Sequence, residues 1–85
     1  MKYRWAVYDG CEPVIFGKWR KHLWRAEGEY DDLDWCGGLD NKLREMYDEE
    51  ELQGKGFWIR MENTIGQVLS ESLLFMDAGE GDWYI

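Results

Sequence analysis

Hydrophobic and polar positions alternate strictly at the start of the chain. Over residues 2–8 (KYRWAVY), Tyr3, Trp5 and Val7 fall on one face and Arg4, Ala6 and Tyr8 on the other. That period of two predicts a strand. Asp9–Gly10 follows, a pair that tolerates the left-handed backbone of a tight hairpin. A second strand is expected at about 13–17 (PVIFG), with Pro13 marking an edge position or a strand entrance. Residues 18–26 read as one or two helical turns on Trp19, Leu23 and Ala26. The acidic, glycine-flanked run Glu27–Gly38 reads as a loop.

The period changes after Gly38. Leu39, Leu43, Met46 and Tyr47 recur at i, i+4, i+7 and i+8, with Asp40 available as a cap, which predicts the main helix over about 39–53. Gly54–Lys55–Gly56 ends it. Phe57, Ile59 and Met61 share one face of a third strand at 57–62. Asn63–Thr64 turns the chain into a fourth strand at 65–69. Ser70 or Ser72 then caps a short helical turn carrying Leu73, Leu74 and Met76. A final strand is expected at Asp82–Ile85. The order predicts an α+β fold: a small, mostly antiparallel sheet with one main helix on one face. Val7, Ile15, Leu43, Met46, Tyr47 and Ile59 are the expected core.

Composition bounds the rest. Eighty-five residues make one domain. A chain of this size buries only roughly 60% of its unfolded surface, so its core must be rich in apolar side chains. Six tryptophans and five tyrosines supply that richness and outnumber what one small core holds. Some of the tryptophans must be exposed, and exposed tryptophan anchors interfaces. The longest apolar runs, such as Leu73–Met76, are too short to span a membrane, and no apolar segment follows the amino terminus as in a signal peptide. A cytoplasmic location is expected, with Cys11 and Cys36 as free thiols.

The net charge of −8 is unevenly spread. Residues 1–25 carry six basic and two acidic side chains; residues 26–85 carry four basic and sixteen acidic. Such a chain attracts basic partners and disfavours direct contact with nucleic acid, Lys18–Trp19–Arg20–Lys21 being the local exception.

Little points to catalysis. His22 is the sole histidine, and no serine or cysteine motif orients it. The carboxylates at Asp31, Asp32 and Asp34 lack the glycine and terminal glutamate of a calcium loop. No cofactor or metal is expected. Asp48, Glu49, Glu50 and Glu51, read as the carboxy-terminal end of the main helix, add negative charge where the helix dipole is already negative, which costs stability. These four, with Asp31, Asp32, Asp34, Trp35 and Trp58, are the candidate partner-binding residues.

Gly54–Lys55–Gly56–Phe57–Trp58–Ile59, then Ser70, Leu73–Leu74 and Asp82–Trp83–Tyr84–Ile85, resemble the carboxy-terminal half of the thoeris anti-defence two family of small phage proteins. The resemblance covers about a third of the chain. It implies a phage or mobile-element origin and, within that family, an oligomer that traps a nucleotide messenger between subunits. The leading expectation is a non-enzymatic inhibitor that uses an acidic surface and tryptophan anchors, as a nucleic-acid mimic, on a basic host or defence protein. The alternatives are a nucleotide-messenger sponge and an immunity protein against a nuclease toxin.

Overall fold

The computed structural model describes residues 1–75 and the backbone alone at Phe75; the expected strand at Asp82–Ile85 lies outside them. The elements run β1 (Tyr3–Asp9), β2 (Glu12–Phe16), α1 (Leu23–Trp35), α2 (Gly38–Met46), α3 (Glu49–Leu52), β3 (Gly56–Asn63) and β4 (Val68–Phe75). The strands form an antiparallel sheet in the order β2-β1-β3-β4, and the helices give the fold its α+β character.

The first hairpin turns at Asp9–Gly10, where Gly10 has φ 67°, a backbone state that costs a side-chain-bearing residue. β2 is an edge strand, the kind of position in a sheet where a residue without an amide hydrogen, such as Pro13, is tolerated. The register slips between Val7↔Ile15 and Tyr8↔Pro13, a bulge that leaves Val14 as the extra residue. At the other end of β2, a β-carbon on Gly17 would overlap the Trp5 indole, so only glycine lets the chain pass. Beyond it, Arg20 pairs with Tyr3 through two backbone hydrogen bonds of 2.7 Å.

One sheet face packs on the helices. Trp5 and Val7 of β1 meet Phe57, Ile59 and Met61 of β3, under Ala26, Leu39, Leu43 and Leu52. Val7, Leu43 and Ile59 are therefore core residues as expected, while Ile15 and Tyr47 are half-buried against them. Met46 is not in the core: it is half exposed, because α2 stops there and Tyr47 leaves the helical path. The Tyr47 ring instead lies 5.5 Å from that of Phe57.

The helices differ from the expected ones. The longest is α1, in the stretch read as a short turn followed by a loop. Leu23, Ala26, Tyr30 and Leu33 form a narrow stripe at helical spacing toward the core, and the acidic residues are its solvated side. Gly28 interrupts this helix without ending it. Gly37, at φ 75°, separates α1 from α2. The expected helix over 39–53 is two pieces, broken at Tyr47–Asp48.

The end of the sheet also differs. Asn63 Oδ1 accepts from the amides of Ile65 (3.2 Å) and Gln67 (3.0 Å), and its Nδ2 donates to Gln67 Oε1 at 3.1 Å. This clamp delays the fourth strand to Val68. Ser70 and Ser72 then sit within β4, opposite Met61 and Ile59, and cap no helix.

Candidate interaction surfaces

With Ala26, Tyr30 and Leu33 turned inward, helical geometry aims Trp24, Gly28, Asp31 and Trp35 outward at i, i+4, i+7 and i+11. Trp24 is 65% exposed and Trp35 91% exposed. They stand about 16 Å apart along the axis, at 1.5 Å per residue. Asp31 lies between them, and Asp32, Asp34 and Glu27 flank the stripe; all four carboxylates are exposed. Burial and, after it, the charges of Asp34 and Asp31 push the Tyr30 phenol above its ordinary value. Asp31, Asp32, Asp34 and Trp35 are thus brought together. Trp24 was not singled out from sequence because the helical turns read there ended at Ala26, short of Trp35.

The electrostatics of the two acidic clusters are the reverse of the expected ones. Asp32 and Asp34 occupy the last turn of α1, which contains no basic residue, so they oppose the helix dipole. Asp48 instead precedes α3, and Glu49, Glu50 and Glu51 form its first turn, where negative charge is favourable. The Asp48 amide donates to Glu51 Oε1 at 3.2 Å, as in a capping box. The 48–51 cluster is accounted for by its own short helix; the 31–34 cluster is not.

Trp58 belongs to a different surface. It alternates with Phe57 and Ile59, so it lies on the sheet face away from the helices and is 37% exposed. That face carries a charged and aromatic network. Glu62, almost wholly buried, accepts from Arg4 Nε (2.7 Å) and from the Tyr8 hydroxyl (2.6 Å). Burial, then the hydrogen bond to Glu62, raises the Tyr8 phenol above its ordinary value. Arg60 lies over the Tyr8 ring at 4.5 Å and pairs with Glu71 at 2.5 Å, while Arg4 sits between the rings of Phe16 and Trp19. Each arginine is held by both a carboxylate and an aromatic face. The alternation of β1 and β3 contained this network, but the pairing of Arg4 with Glu62 depends on a register spanning most of the chain.

Cys11 and Cys36 are exposed free thiols. Among the described residues no group of three or more His, Cys, Asp or Glu side chains is placed to hold a metal ion, and no helix is long and apolar enough to cross a membrane. No protein-family model matches the chain, and no curated protein or solved structure matches it either.

Proposed function

We propose that this protein is a non-enzymatic inhibitor that docks through the outward stripe of α1 onto a basic, nucleic-acid-binding surface of a host or defence protein. The observation that carries this reading is Trp35, nearly fully exposed beside Asp31 and Asp32 in a turn whose charge opposes its own helix. Two tryptophans bracket the carboxylates. The rings supply apolar contact at low entropic cost, and the carboxylates take the places that phosphates occupy on the partner's natural ligand. Gly28, one turn on from Trp24, adds no side chain to the stripe and lets a partner approach the helix closely. Trp58 and the α3 carboxylates fall outside this stripe. The phage or mobile-element origin implied by the carboxy-terminal resemblance fits such a role.

The test is capture of basic nucleic-acid-binding proteins from a bacterial lysate, by the wild type and by two variants. One variant is Trp35→Ala; the other replaces Asp31, Asp32 and Asp34 by Asn. The expected result is a stoichiometric partner lost with either variant, displaced by heparin, and blocked from its own DNA or RNA while bound. Equal capture by wild type and both variants would sink the reading.

A further inference from the structure

The pairing of Arg20 with Tyr3 has a second effect. It brings the start of the chain, the 19–22 segment and the first turn of α1 around one open cleft of about 370 Å³. Its lining is Lys2, Trp19, Arg20, Lys21, His22 and Arg25. Four of the ten basic residues in a chain of net charge −8 therefore converge on one concave place. The volume falls within the range of small-molecule sites, about 300–1,000 Å³.

We infer that this cleft binds a small phosphorylated aromatic ligand, a nucleoside phosphate, with Lys2, Arg20, Lys21 and Arg25 meeting the phosphate and Trp19 the base. The site adjoins the Trp24 end of the docking stripe through His22, but it shares no lining residue with the stripe and does not rest on that reading. Nor does it use any residue of the carboxy-terminal resemblance.

Three observations support the ligand class. Among the described residues the lining is cationic and holds no carboxylate; the nearby Glu29 pairs with the Nη2 end of Arg20. Arg20 Nε is buried and has no hydrogen-bond partner among the described residues, so this lining residue has an unused donor. His22, at the N-cap of α1, places no side-chain bond on the first-turn amides, which leaves the positive end of a 13-residue helix facing this region. A phosphate carries the oxygens and charge to engage several such donors at once.

The aromatic part follows from Trp19, which lines the cleft and has the Arg4 guanidinium over its ring at 4.5 Å. At its edge, the ring of the lining residue His22 stacks on that of Trp24 at 5.9 Å with an interplanar angle of 17°. An aromatic ring is a platform on which a nucleobase stacks whatever its identity, because every base has a π-face. A small ligand is favoured over a polymer by range. Screening confines the cleft's field to about 8–10 Å at ordinary salt, and a strand leaving it meets the acidic remainder of the chain.

Calorimetric titration of the full chain with ADP, inorganic phosphate and a single-stranded oligonucleotide tests this. ADP should bind saturably and be displaced by phosphate, with phosphate alone binding more weakly. Lys21→Gln combined with Arg25→Gln, both exposed, should raise the ADP dissociation constant roughly tenfold or more. Lys42→Gln combined with Arg44→Gln removes the same charge from α2 and should leave it unchanged; thermal melts establish that both variants fold. The inference is overturned by absence of saturable ADP binding up to millimolar concentration, or by equal weakening in both double variants. It is also overturned if phosphate binds as tightly as ADP, or if the oligonucleotide binds more tightly than ADP.

Discussion

The Tyr47 hydroxyl donates to Asp9 Oδ2 over 3.0 Å, tying the residue that closes α2 to the turn of the first hairpin. Lys55 Nζ reaches the other oxygen of Asp9 at 3.3 Å and lies 5.5 Å from the Tyr47 ring centre. Asp9 thus joins the hairpin, the helices and the start of β3. Tyr47→Phe should cost about 1 kcal/mol in a denaturant titration, since Asp9 keeps its lysine and is not orphaned.

The Tyr47 phenol also makes stability fall at high pH. Burial first, then the hydrogen bond and charge of Asp9, push the Tyr47 phenol from its ordinary 10.0 to about 12. The folded state favours the neutral phenol, so this contribution is complete below pH 10 and is lost as pH rises through about 12. Tyr8 and Tyr30 are raised too and act in the same direction. Thermal melts from pH 9 to 12 should show the wild type losing more stability than Tyr47→Phe.

Leu43 is 0% exposed at the centre of the core. Leu43→Ala should cost about 2–5 kcal/mol. The half-exposed Met46, one turn on, should lose under about 1 kcal/mol on the same change, and a larger loss there would mean that α2 continues past it.

Gly28 lies mid-helix with open space around the place of a β-carbon. Gly28→Ala should therefore raise stability by about 0.5–1 kcal/mol. A loss of stability would contradict the solvent-facing placement of this residue.

The two acidic clusters should respond oppositely. Replacing Asp31, Asp32 and Asp34 by Asn relieves charge at the negative end of α1, so the melting temperature should hold or rise while partner capture falls. Glu51→Ala removes the acceptor of the Asp48 amide and should lower stability by a few tenths to about 1 kcal/mol, with capture unchanged.

The strands were legible because β1 and β3 alternate apolar and polar residues with little exception. The Asp9–Gly10 turn was legible from its own chemistry. The helical region was harder. In α1 a narrow stripe of four inward residues is diluted by carboxylates and an internal glycine, and only burial against the sheet outweighs that composition. In α2 the period continued to Met46 and Tyr47, but the hydrogen bond to Asp9, 38 residues away, draws Tyr47 off the helix. In β4 two serines read as caps, although the Asn63 clamp and pairing with β3 make them strand residues. Of the candidate binding residues, Asp31, Asp32, Asp34 and Trp35 share a surface. Trp58 and the 48–51 cluster do not join it, because strand alternation and the break at Tyr47 direct them elsewhere.

The sheet order β2-β1-β3-β4 has a kinetic consequence. β1–β2 and β3–β4 are each closed by a short turn, whereas the central seam pairs Tyr3 with Asn63 and Tyr8 with Trp58. That seam is formed only by closing a loop that contains α1, α2 and α3. Loop closure grows slowly in cost with length, but it must be met before the seam's own contacts form. The two hairpins can therefore fluctuate into shape independently, and their docking, with α1 settling across β1 and β3, sets the folding rate.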